Sequence, residues 1–213
     1  MKTIFVLVFI LISQYANAQM GADTLKIGNT FIRFNAFNLL DVVEPNISIG
    51  VERRVFKQVS FAFDAGYIFY SQQFHSMGRS SGFILRPAVR YFPNNSGLYI
   101  EAEFHYKQHT HHLHDWIGHD AVEGVPAYEK YEEFRLRKQT LGLHFKVGRL
   151  IPVSKIIWLD MYAGIGFHLR KYTVLEDPDF VYSFEQNLNM VTTGQKENLL
   201  AFPVGCRILF RLR

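Results

Sequence analysis

Six of the nine histidines lie between His105 and His119, in the run H-Y-K-Q-H-T-H-H-L-H-D-W-I-G-H. His109, His111, His112 and His114 lead directly into Asp115. Imidazole suits zinc, copper or nickel, and a carboxylate can complete the shell. In an extended ribbon alternate residues share a side, so His109 with His111, or His112 with His114, could chelate together. The spacing matches no fixed zinc motif, and the hint is compositional. Two readings stay open: zinc or copper capture by these five residues, or a solvated loop whose imidazoles titrate near neutral pH.

Other reactive groups are sparse. Cys206 is the single cysteine, so no intramolecular disulfide forms. Its parity groups it with Phe202, Val204, Ile208 and Phe210 as a small hydrophobe. No phosphate-cradling glycine loop is present. His75 and Ser76 are adjacent and fall in a loop, and no His-x-Ser pair occurs, so nucleophilic catalysis lacks its usual parts. The loops carry Trp116, Tyr128, Tyr131, Phe180, Tyr182 and Phe184. These aromatics either meet a partner or glycan, or pack loop on loop.

The elements that position these groups read as strands. In Val59–Tyr70 the odd positions Val59, Phe61, Phe63, Ala65, Tyr67 and Phe69 are all apolar or aromatic, and Asp64 is even. In Leu98–Lys107 one face is Leu98, Ile100, Ala102, Phe104 and Tyr106; the other is Tyr99, Glu101, Glu103, His105 and Lys107. Successive strand side chains point to opposite faces. A continuous apolar outside with charges inside is the polarity of a barrel in a bilayer.

Eight such segments can be marked: about Thr30–Leu39, Asn46–Val55, Val59–Tyr70, Gly82–Phe92, Leu98–Gln108, Phe134–Arg149, Ile156–Thr173 and Asn198–Leu212. Most reach the roughly 9–11 residues that a tilted strand needs to cross the hydrocarbon. Tight turns at 56–58, 93–97 and 151–155 alternate with longer loops at 40–45, 71–81, 109–133 and 174–197. That asymmetry predicts periplasmic turns, external loops and both chain ends periplasmic. The expected architecture is an all-β, eight-stranded antiparallel transmembrane β-barrel.

Parity sends Glu52, Arg54, Asp64, Arg86, Arg90, Glu101, Glu103, Lys107, Lys146, Asp160, Arg170 and Arg207 inward, with Arg33, His144 and His168. An eight-stranded interior is just wide enough to be filled by side chains. These charges are therefore expected to pair as a buried network that plugs the lumen. The other reading is an ion path or small-ligand cavity. Glycines 50, 66, 142, 148, 164, 166 and 205 share the inner parity and make room for long side chains.

Lys2, the nine-residue apolar run Ile4–Ile12 and Ala16-Asn17-Ala18 read as a cleaved signal peptide over 1–18. The barrel domain then occupies 19–213. The apolar run is too short for a transmembrane helix, which needs about 20 residues. Aromatic content is 15%, with 20 Phe and 11 Tyr, which fits the girdles at bilayer interfaces. The net charge of +4 comes with no basic patch of the kind that reads nucleic acid. A secreted barrel with an apolar cavity is the rival fold. It would have to bury Phe, Tyr and Leu from nearly every strand in one small cavity.

Two stretches carry a resemblance. Asn46–Tyr70 (N-I-S-I-G-V-E-R-R-V-F-K-Q-V-S-F-A-F-D-A-G-Y-I-F-Y) looks like a strand, Glu-Arg, tight turn, strand, Gly-Tyr hairpin. Gly82–Tyr99 is similar to an R-P-x-x-R-Y-F strand before a short turn. Both resemble the small outer-membrane β-barrel proteins of Gram-negative bacteria, uncharacterised families among them. The resemblance implies residence in the outer membrane, contact with its lipid and insertion by the barrel-assembly machinery. That machinery reads a last strand ending in an aromatic; here Phe210 is followed by Arg211, Leu212 and Arg213. The expected role is non-enzymatic: envelope structure, or contact with an extracellular ligand or surface partner through the loops. The alternatives are metal or small-ligand binding by the histidine segment, and a lipid-modifying enzyme.

Overall fold

The computed structural model describes residues 27–35, 45–70, 77–94, 96–121, 125–177, 180–186 and 189–212. The expected signal peptide at 1–18, positions 36–39 of the first expected strand, and His75 and Ser76 lie outside these residues. Within them there are eleven strands and no helix. They are β1 (Thr30–Phe34), β2 (Asn46–Arg54), β3 (Val59–Ile68), β4 (Met77–Tyr91), β5 (Leu98–His119), β6 (Tyr128–Pro152), β7 (Ile157–Val174), β8 (Ser183–Gln186), β9 (Asn189–Thr192), β10 (Lys196–Ala201) and β11 (Val204–Leu212).

Nine strands form one antiparallel sheet in the order β10-β7-β11-β1-β2-β3-β4-β5-β6, and β7 also pairs with β6, so the sheet closes into a ring. β10 and β11 are two stretches of one strand. Lys196↔Lys171 and Val204↔Ala163 share a single register along β7, and the ladder lapses only at Phe202 and Pro203. Proline has no N–H to donate. The ring therefore has eight positions. The rival reading of a polar exterior does not hold, because Ile49, Phe61, Phe104, Phe145 and Phe167 stand 58%, 50%, 43%, 48% and 59% exposed on its outer face.

The three tight turns fall at one end, joining β2 to β3, β4 to β5 and β6 to β7. Gly97 takes φ 79° in the second of them, a conformation that favours glycine. In the first, Val55 and Phe56 both donate to the Val59 carbonyl.

At the other end the chain departs from expectation. Residues 109–119 and 128–133, taken as loop, are strand: β5 and β6 pair without slippage from Leu98↔Arg149 to His119↔Tyr128. The ribbon stands because its inner face is apolar. Leu113, Ile117, Phe134, Leu136, Tyr172 and Val174 pack into one cluster with Tyr182 and Val191, and Phe180 and Phe184 lean on it. The hairpin of β8 and β9, within the expected 174–197 loop, thus lies as a strap over the interior side of the ribbon.

The interior is layered. Next to the turns, Phe31, Phe92, Tyr99, Leu150, Trp158 and Leu209 make an apolar plug. A belt of ion pairs lies above it, then a polar cavity, then the strap.

Candidate functional site

Four buried cations meet five buried carboxylates in the belt. Arg90 reaches Glu52 at 2.8 Å, together with Glu101 and Asp160. Arg207 reaches Glu103 at 3.1 Å, Glu101 at 3.2 Å and Asp160 at 3.4 Å, and donates to Asn35. Lys146 bridges Glu101 and Glu103. Arg33 lies 3.1 Å from Asp64 and 3.8 Å from both Glu52 and Glu101. Its angle to Asp64 gives an ion pair without a hydrogen bond. Ser60 and Tyr99 donate to Glu52 and Asp160. The guanidiniums of Arg90 and Arg207 lie 4.1 Å and 4.2 Å from the rings of Tyr99 and Tyr162.

Of the twelve charges expected inward, Glu52, Asp64, Arg90, Glu101, Glu103, Lys146, Asp160 and Arg207 belong to this belt. Arg54 does not: it donates to the Lys57 carbonyl in the turn and lies over Phe92. Arg86, Lys107 and Arg170 sit a level higher and line the cavity. The inner glycines make room chiefly for rings. A Cβ at Gly148 or Gly205 would strike Tyr99 or Tyr162, and one at Gly142 or Gly166 would strike His168 or His144.

The structure does not bring the five expected metal ligands together. As strand residues they divide between two faces. His109 and His111 are buried inside, with ring centroids 4.1 Å apart. His112 and His114 point outward and are exposed, and His114 lies against Tyr131. Asp115 accepts a hydrogen bond from the Tyr182 hydroxyl at 2.8 Å. Burial, and then that bond, raises the Tyr182 phenol above its ordinary range. The expected exposed His loop is thus a correction. The loop aromatics split too: Trp116, Tyr128 and Tyr131 are exposed, while Phe180, Tyr182 and Phe184 enter the strap's core.

A different histidine group forms inside the ring. His105 and His168 both face Gly142 across their ladders, and His144 faces Glu103 on one side and Gly166 on the other. The missing side chains let the three rings close to centroid distances of 4.9–5.2 Å. Glu103, His105 and His144 place ligand atoms within 4.8 Å of one another.

Hydrogen-bond chemistry decides what this group can hold. A carboxylate only accepts, so His144 Nδ1, 3.0 Å from Glu103, carries hydrogen. Its Nε2 is then the acceptor for the Nε2–H of His168 at 2.7 Å. Arg86 Nε donates to His105 Nδ1 at 3.3 Å, which leaves the His105 hydrogen on Nε2. The lone pairs of His105 and His144 are thereby used, whereas a metal needs them vacant.

Around these rings lies a cavity of about 340 Å³. Its wall includes the cations Arg86, Lys107, Lys138, Lys146 and Arg170, and one carboxylate, Glu103. Sequence parity placed His144 and His168 inside without joining them to His105. The inward glycines 142 and 166 beside inward histidines were the signal that a ring cluster forms there.

A family model described as a protein of unknown function, DUF3575, matches residues 4–201, and the chain belongs to that family. No curated protein and no solved structure matches it.

Proposed function

We propose that this member of DUF3575 is an eight-stranded transmembrane β-barrel of the bacterial outer membrane, with a closed interior and a non-enzymatic role. One observation carries the reading: the exposed outer face is an apolar band with polar borders. On β5 that face runs Leu98, Ile100, Ala102, Phe104, Tyr106 and then turns to Gln108, Thr110 and His112. The same border crosses the neighbours at Gln139 and Lys171, where Gln139 donates to Gln108. At the turn end, Arg53 and Arg149 share the outer face. The ten steps from Leu98 to Gln108, at about 3.3 Å each and tilted about 40°, stand roughly 25 Å tall. Hydrocarbon of that height is what such a band fits.

The apolar plug supports a lumen without through-flow. Trp116, Tyr128 and Tyr131, 58%, 53% and 52% exposed, stand near the tip of a ribbon that runs eleven residues past Gln108, roughly 35 Å of strand. Rigid aromatic side chains on such a stem suit contact with a surface partner or glycan. Export by a cleaved 1–18 signal and folding by the barrel-assembly machinery complete the reading.

The test is fractionation of cells making the full chain, with gel mobility before and after boiling. The mature protein should sediment with outer membranes, need detergent for release, and migrate differently when unheated. Recovery as a detergent-free soluble monomer refutes it.

A further inference from the structure

We propose that Arg137, Lys171 and Lys196, on the outer face at the loop-side border of the apolar band, form a binding site for one phosphomonoester lipid of the surrounding leaflet. The inference rests on the bilayer reading above and adds a specific lipid class to it.

The first ground is register. Gln139, Lys171 and Lys196 stand directly opposite one another on β6, β7 and β10, and both lysines are exposed. The Cβ atoms of directly opposed residues lie about 5 Å apart, and like charges so placed repel. Arg137 faces Thr173, two residues along β7 from Lys171, which sets it on a diagonal of about 7–8 Å from that lysine. The Arg137 Nε is buried without a hydrogen-bond partner. Arg135, next on the same face, is by contrast bound to Glu176 at 2.9 Å. Long stems at these spacings converge on a single anion. A phosphate between them turns repulsion into attraction, and its oxygens suit both a guanidinium fork and ammonium groups. At about −1.5 to −2 near neutral pH it matches three cations better than a carboxylate does.

The second ground is that the cations are gathered. In the same two rows of the sheet β3 presents Tyr67, β4 presents Phe83 and Ser81, and β5 presents Gln108 and Thr110. Among the described residues of these rows, outward Lys and Arg fall only on β6, β7 and β10. Cations that served as general headgroup anchors would be spread around the rim; a cluster on three adjacent strands suits one headgroup.

The third ground is what lies beneath. Leu141, Leu169, Phe167 and Leu200 continue the same outer face into the band. Phe167, Leu200 and Phe202 stand well exposed there, beside the lapse in the ladder at Pro203. Lys171 and Phe167 are four residues apart, about 13 Å of strand. A lipid seated by its phosphate on the cations lays its acyl chains along these side chains, and a free anion gains nothing from them. A protein partner would have to bring its carboxylates to the edge of the hydrocarbon, where lipid headgroups already lie.

The experiment is native mass spectrometry of the folded full-length mature protein in an uncharged, phosphorus-free detergent. The probes are phosphatidic acid and phosphatidylcholine with the same acyl chains. One phosphatidic acid should be retained per chain, with an affinity about 10-fold or more above that of phosphatidylcholine. Lys171→Gln combined with Lys196→Gln, and separately Arg137→Gln, should weaken it about 10-fold or more, with the boiling-dependent gel shift intact. Arg53→Gln, an outer-face cation at the turn end, should leave it unchanged. The site is overturned by equal affinity for the two lipids, by unaltered binding in the double variant, by an equal loss in Arg53→Gln, or by inorganic phosphate competing as an equal of phosphatidic acid. Any of these in a chain that needs detergent and shifts on boiling strikes the site and leaves the barrel standing. A chain soluble without detergent refutes the barrel and the lipid site with it.

Discussion

Replacing Arg90 by methionine keeps an unbranched apolar stem and removes the charge that touches three carboxylates. Glu52, Glu101 and Asp160 are 2%, 0% and 0% exposed, so no solvent screens what is left behind. Glu101 retains Lys146 and Arg207, and Asp160 retains Arg207 and Tyr99. Glu52 is left with Ser60 and with Arg33 at 3.8 Å. The belt already holds five carboxylates against Arg33, Arg90, Lys146 and Arg207. Losing one partner of a buried ion pair costs about 3–5 kcal/mol. For a chain of this size each kcal/mol moves the melting midpoint by about 2–4 °C, so the fall should be roughly 6–20 °C. Trp158, 1% exposed and 5.8 Å from Phe31, lies just under the belt and gives a fluorescence readout beside the boiling-dependent gel shift. Arg149→Met, on the outer face, is the control and should stay within about 0.5 kcal/mol. Arg90→Lys, which keeps the charge and loses the fork, should fall between. If Arg90→Met melts within a degree or two of the parent, the buried network does not hold the ring as argued.

Two further outcomes follow from the same geometry. The raised Tyr182 phenol stays protonated in the folded chain while the unfolded chain ionises near its ordinary 10.0. Its contribution is therefore whole below pH 10 and is lost as pH climbs above it. Alkaline titration should loosen the strap in the parent and show a flatter profile in Tyr182→Phe; identical profiles, followed by proteolysis of residues 175–195, would count against the strap's anchor at Asp115. Gly166→Val drives a side chain into the His144 ring and to 2.8 Å of the Leu143 carbonyl. It should cost about 1–3 kcal/mol by overpacking, whereas Ala163→Val on the outer face should not; unchanged melting in Gly166→Val would refute the close approach.

How far the sequence reaches is clear from particular residues. Parity along β3 and the first half of β5 was legible because side chains alternate with a period of two. Every apolar residue of Leu98, Ile100, Phe104 and Tyr106 faces out in the structure. The length of β5 and β6 was not legible. Beyond Gln108 the outer face becomes polar, and Thr110, His112 and His114 look like loop composition. What keeps them in a strand is the partner strand and the strap over Leu113 and Ile117, which are contacts distant in sequence. The histidine cluster failed for a related reason. His105, His144 and His168 sit on three strands, and only their register, with Gly142 between two of them, puts them at one height. Parity gives the side of the wall and says nothing of the level.

The levels bear on what the interior can pass. Were carboxylates and cations spread evenly along the axis, an ion could step from one to the next. Instead Glu52, Asp64, Glu101, Glu103 and Asp160 meet Arg33, Arg90, Lys146 and Arg207 in one belt, and the apolar plug of Phe92, Leu150 and Trp158 lies beyond it. An ion that reached the belt would find its charges already paired and an apolar wall behind, an axial order that supports the proposed closed lumen over conduction.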